Sequence, residues 1–164
     1  MRYSKTIFAK IITALTLLLI GGVLYLLFRP RTLLMHQIFD MLGFGTTLDS
    51  WRNISISLAM PEWCVYILPG ALWSAAYIFI IDAILHDVSV AHRLSVAAFI
   101  PVAGVLSELL QLPAILPGTF DIADIAAYIV PFIIYLIIQV SDGFLRFVYL
   151  PSLNNSSIIN FHFS

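Results

Sequence analysis

Four apolar stretches, each about twenty residues long, leave this chain few ways to fold in water. They run over 11–28, 66–85, 94–112 and from Asp121 or Ile122 to about Gln139. A helix of that length matches the ~30 Å hydrocarbon core of a bilayer. Composition agrees, with 61% hydrophobic and 10% charged residues and a mean hydropathy of +1.00. Soluble domains are about half apolar and about a quarter charged. The expectation is an all-α, polytopic membrane protein with about four transmembrane helices and one or two interfacial helices after the first span. Residues 1–150 form its single domain, and 151–164 form a polar, Asn- and Ser-rich tail expected to be poorly ordered. A net charge of -1 leaves no broad basic surface, so no nucleic-acid partner is expected. Cys64 is the lone cysteine, which excludes an intrachain disulfide and a CxxC motif.

Arg2, Lys5 and Lys10 precede the first apolar run, as in a signal peptide. The run is long, however, and no small-residue cleavage site follows it, so it reads as a retained helix. Arg29-Pro30-Arg31 ends it at the membrane surface. From Thr32 to Trp63 the chain is too polar to span and too apolar for a free loop. Leu34, Ile38 and Leu42 recur four apart, with His36 and Asp40 off that stripe, which predicts a short interfacial helix. Ile54-Ser55-Ile56-Ser57 alternates like a strand, but an isolated strand has no partner in a membrane, so helix is preferred there too. In the second span Gly70, Ala71, Ser74 and Ala75 form a small-residue seam, and Gly21-Gly22 in the first offers a second close contact. Pro101 predicts a kink in the third span, where Ala103, Gly104 and Ser107 are small packing residues. Pro131 removes the bond to the Ala127 carbonyl and loosens the fourth span beside Tyr128. His86, Asp87 and His92 read as ordinary loop residues, because positions six apart share no helical face.

Four spans with an internal N-terminus place Arg2, Lys5, Lys10, Arg93 and Arg146 on one side and Arg29, Arg31 and Arg52 on the other. The positive-inside rule then puts both termini in the cytoplasm.

The polar residues gather between Ser107 and Tyr128, with no Lys or Arg in the stretch. Glu108 and Gln111 lie three apart on one helical face, and Asp121, Asp124 and Tyr128 are spaced three and then four. Pro113, Pro117 and Gly118 punctuate the connection as turn residues. The pattern predicts a helical hairpin with Glu108, Gln111, Asp121, Asp124 and Tyr128 near its tip on the outer face. A carboxylate inside a span costs about 2.5–3.5 kcal/mol on insertion scales, which makes Glu108 a functional candidate. Each residue also has a purely structural reading. A protonated Glu108 can bond Gln111, Asp121 can cap the next helix, Asp124 sits at that helix's favoured third position, and Tyr128 can simply pack.

At these residues the chain resembles the VanZ-like family, small multi-span membrane proteins named after an accessory protein of glycopeptide resistance. Its signature is a Glu-x-x-Gln near the end of one helix, a turn with Gly, and Asp-x-x-Asp opening the next. The matches are Glu108, Gln111, Gly118, Asp121 and Asp124, with Leu68-Pro69-Gly70-Ala71-Leu72-Trp73 resembling a further segment of some members. Thr119 stands where the family often has a basic residue, Tyr128 where it has Asn, and Pro131 where it has Gly. The resemblance covers about 63–138. It implies the fold, a polar site, a bacterial cytoplasmic membrane and an association with the cell envelope or antibiotic resistance. No reaction and no cofactor come with it.

Three function classes follow. The first binds or processes an envelope lipid or a lipid-linked envelope precursor at the outer interface. The second is a non-catalytic accessory or assembly subunit with a membrane-protein partner, its polar hairpin serving helix packing. The third is a proton or ion conduit through Asp82 and Glu108, which about 15 Å along the bilayer normal separates. Three uncompensated carboxylates at one interface predict a cationic or hydroxyl-rich headgroup as ligand, or Mg²⁺ or Ca²⁺ between them. No nucleophile–base pair or phosphate loop marks the chain as an enzyme.

Overall fold

The computed structural model describes residues 2–31, 34–55, 57–116 and 119–159, beyond 141 as backbone alone. Pro117, Gly118 and the end of the expected tail, 160–164, lie outside the described residues. The described chain is helical throughout: α1 Arg2–Phe28, α2 Leu34–Met41, α3 Gly45–Ser55, α4 Glu62–Tyr66, α5 Leu68–Ile84, α6 Val90–Ala97, α7 Phe99–Gln111 and α8 Ile122–Ile159. It divides into two compact units, residues 1–132 and 133–164. The described part of the second is helix through Ile159, including residues that composition marks as tail.

Among the described residues, three stretches are long and apolar enough to cross a membrane: Lys5–Phe28, Val90–Gln111 and Ile122–Ser141. The second joins α6 and α7 across Ala98. That break sits ahead of Pro101, which lacks an N–H for the Ala97 carbonyl and whose ring crowds it. α5 is apolar, but its 17 residues reach about 25 Å, less than a bilayer core. α4 precedes it across Ile67, where Pro69 lacks an N–H for the Val65 carbonyl.

Lys10 Nζ lies 2.6 Å from Asp82 Oδ2, and Arg29 Nη2 donates to the Tyr66 carbonyl at 3.1 Å. These contacts tie α1 antiparallel to α4–α5 at both ends. Between them Trp73 of α5 lies over Gly21 of α1, where any Cβ would strike the indole. Gly22 faces open space.

The surface is apolar, with Leu19 68%, Leu15 57% and Ile122 73% exposed, while His36, Ser74, Asp82 and Glu108 are buried. α2 follows this pattern. Ile38 and Leu42 of the apolar stripe face outward, and His36 is fully buried. His36 Nε2 lies 3.0 Å from the Leu26 carbonyl, which also accepts from Arg52 Nη1 at 2.6 Å. α2 ends in a paired cap, with the Gly43 N–H on the Asp40 carbonyl and the Phe44 N–H on the Phe39 carbonyl, both 3.0 Å. Gly43 adopts φ +82, which glycine tolerates without Cβ strain, and the Phe39 and Phe44 rings meet across the cap. Ile54 and Ser55 of the alternating stretch are helical and Ser57 lies in a turn, while Ile56 is outside the described residues.

Candidate functional site

Glu108 sits three residues before the end of α7 and is 5% exposed. Its Oε1 accepts from Gln111 Nε2 at 3.0 Å, as their shared face predicts. Its Oε2 accepts the backbone N–H of Asp121 at 3.2 Å, thirteen residues on. α7 then closes with the Ala114 N–H on the Gln111 carbonyl at 3.0 Å and the Ile115 N–H on the Leu110 carbonyl at 3.1 Å. This is the same paired cap that ends α2, but Ala114 occupies the left-handed position at φ 56. A Cβ there costs about 1–2 kcal/mol, and glycine is the usual occupant.

Asp121 is the N-cap of α8. Its Oδ1 accepts the Ala123 N–H at 2.8 Å, and Asp124 stands at the third helical position, as its spacing predicts. An acid at that position often reaches back to the N-cap N–H, completing a reciprocal pair. Here Glu108, arriving from α7, takes that N–H instead. The half-buried Asp124 carboxylate is therefore released from capping and has no hydrogen bond among the described residues.

Two small-residue contacts set the position of α8. Ser74 Oγ donates to the Tyr128 carbonyl at 3.1 Å, and one turn earlier Gly70 approaches the Ala127 methyl. The expected seam on α5 thus receives α8, and Pro131 leaves α8 unbroken. On α7, a Cβ at Gly104 would lie 2.6 Å from the Tyr128 ring. Glycine alone lets that ring settle between the helices.

A cation from outside the hairpin stretch approaches these acids. Arg29, from the end of α1, lies within electrostatic reach of Asp124 and Tyr128. Its guanidinium stacks over the Tyr66 ring at 4.8 Å and near Tyr25 at 5.8 Å. Its Nε is buried without a partner among the described residues. Sequence reasoning missed Arg29 because it lies far from the hairpin in the chain. The available signal was its place at the end of a span, on the side assigned to the hairpin tip.

Glu108 and Asp121 lie within electrostatic reach of Asp124, but each is bound in its own way. Glu108 is engaged by Gln111 and the Asp121 N–H, and Asp121 turns onto its own helix. Among the described residues no three His, Cys, Asp or Glu side chains form a metal-binding group. The His92 ring meets Ser89 Oγ at 2.7 Å, and His86 pairs with Asp87.

A second polar cluster lies toward the start of α1. Asp82, 5% exposed, is held by Lys10 and by Arg93 Nη1 at 2.8 Å. Comparison with known proteins finds no matching family model, no matching characterised protein and no matching solved structure.

Proposed function

We propose that this chain is a membrane protein of the VanZ-like type that binds or processes an envelope lipid or lipid-linked molecule. Its headgroup site lies at the outer interface, where the end of α1, the end of α7 and the start of α8 meet. The observation that carries this reading is the release of Asp124. Glu108 caps α8 in its place, leaving a half-buried carboxylate near Arg29 and Tyr128 with no structural bond to make. An ionisable group left unengaged at membrane depth is a functional candidate.

The topology in this proposal has four crossings, with α4 and α5 together making the second. Lys10 and Arg29 stand nineteen residues apart on α1, about 28 Å along the helix and close to a bilayer core. Lys10 meets Asp82 at one end and Arg29 meets Tyr66 at the other, so α4–α5 covers the same depth. α2, α3 and the turn between them lie in the interface, exposing Ile38, Met41, Phe44, Trp51 and Ile54 to lipid. The positive-inside rule places Lys10 and Arg93 toward the cytoplasm with both termini, and the Asp124 site on the outer face of a bacterial cytoplasmic membrane.

The accessory reading is favoured by one observation, the complete engagement of Glu108 in holding the hairpin. It gives Asp124 no task. The conduit reading loses its inner station, because Asp82 is clamped between two cations.

The test is native mass spectrometry of lipid-bound protein extracted in mild detergent, comparing wild type with Asp124→Asn. Asparagine keeps shape and removes charge. Retained lipid on wild type, depleted in the variant at equal folded yield, is the expected result. Equal retention returns the hairpin to a packing role.

A further inference from the structure

We propose that Lys10 and Arg93 hold the phosphate of an anionic phospholipid in the leaflet at the start of α1. The site is separate from the one at Asp124 and does not depend on it.

Three helices meet here with one acid too few. Lys10 of α1 and Arg93 of α6 hold different oxygens of Asp82 of α5, at 2.6 and 2.8 Å. Asp82 is 5% exposed and sets one negative charge against two positive ones. Asp87, the other acid in the connection from α5 to α6, is paired with His86 at 2.9 Å. The excess cation stands at the edge of the bilayer core, where solvation by water is poor and an anion stabilises it. Both cations can be reached. Their side chains are 26% and 15% exposed. Lys10 has no second partner among the described residues, and Arg93 Nη2 has no hydrogen bond among them.

Shared possession of Asp82 brings an ammonium and a guanidinium side by side, and the several oxygens of one phosphate can touch both. A guanidinium offers paired N–H donors to phosphate, and an ammonium offers a compact charge. The surroundings select a lipid over a soluble phosphate. Ile11, Leu15 and Leu18 are exposed and spaced four and three apart, so they form one apolar strip of α1. It starts beside Lys10 and runs into the membrane, a path for an acyl chain below the phosphate. Ile84, two residues after Asp82, is exposed as well. Charge selects the headgroup. An ethanolamine ammonium needs a carboxylate, but Asp82 is held by two cations and Asp87 by His86. Lys5, exposed and unpaired among the described residues, adds to the positive field. A phosphodiester with a neutral head, as in phosphatidylglycerol, balances the excess charge and adds none.

The experiment is calorimetric titration of the purified protein in neutral detergent with dihexanoyl phosphatidylglycerol, dihexanoyl phosphatidylethanolamine and free glycerol phosphate. Wild type should bind phosphatidylglycerol about fivefold or more tightly than phosphatidylethanolamine. Lys10→Gln and Arg93→Gln should each weaken phosphatidylglycerol by about fivefold, while Lys10→Arg keeps the charge and the affinity. Asp124→Asn should leave phosphatidylglycerol binding unchanged. If either Gln variant fails to fold, the salt dependence of wild type decides. The preference should shrink between about 50 and about 500 mM salt, and a preference unchanged by salt overturns the proposal. Equal binding of the two lipids, or a preference that survives Lys10→Gln in folded protein, overturns it too. Free glycerol phosphate bound as tightly as the lipid overturns the lipid assignment. Loss of phosphatidylglycerol binding in Asp124→Asn moves the lipid to the other end of α1 and overturns the Lys10 site alone.

Discussion

Glu108 shows how one buried carboxylate can serve two helices. Its bond to Gln111 is legible from their spacing, and so is the capping role of Asp121. The bond from the Asp121 N–H to Glu108 is not, because it depends on how two helices return to each other. That contact also decides whether Asp124 is a cap or a free acid. Glu108→Gln retains an acceptor for the N–H and should keep wild-type stability in detergent. Glu108→Ala leaves both donors unpaired and should cost about 1–3 kcal/mol. Equal stability of the two variants would remove Glu108 from the hairpin's support. The left-handed Ala114 was also hidden, since the sequence places glycine four residues later. Ala114→Gly removes the Cβ strain and should stabilise the protein by about 1 kcal/mol in thermal unfolding. A loss of stability would contradict the strained cap.

Among elements, the apolar periodicity located α1, α7 and the start of α8, and Pro101 announced the interruption between α6 and α7. Hydropathy did not reveal that α5 by itself falls short of a bilayer core, because Tyr66 and Ile67 extend its apolar run into α4. The α2 stripe gave the helix, with its apolar side facing outward and His36 inward. Small residues were legible as a class, but their partners were not. Gly104 meets Tyr128 and Gly21 meets Trp73, while Gly22 meets nothing within 4 Å. Gly104→Val should force the Tyr128 ring aside and cost about 1–3 kcal/mol, whereas Gly22→Ala should fold as wild type. Thermal unfolding of both variants checks this, and equal tolerance at the two positions would refute the α7–α8 contact.

Within residues 1–132, two polar clusters stand apart along α1 by about the thickness of a bilayer core. Lys10, Asp82 and Arg93 form one; Arg29, with Asp124 in reach, forms the other. Opposite charges within antiparallel spans were a usable signal for the first level, since buried ionisable groups need partners. The second depended on a residue contributed from a different span. Reporter fusions after Thr46, His86, Pro117 and Leu150 should read outside, inside, outside and inside, and a cytoplasmic signal at Pro117 would reverse the sidedness. The most direct test of a headgroup site freed at Asp124 is photocrosslinking with a phospholipid carrying a diazirine in its headgroup, followed by peptide mapping. Adducts are expected on the 108–128 segment and beside Arg29, and Asp124→Asn should abolish them. Adducts elsewhere, or an unchanged pattern in Asp124→Asn, would contradict it.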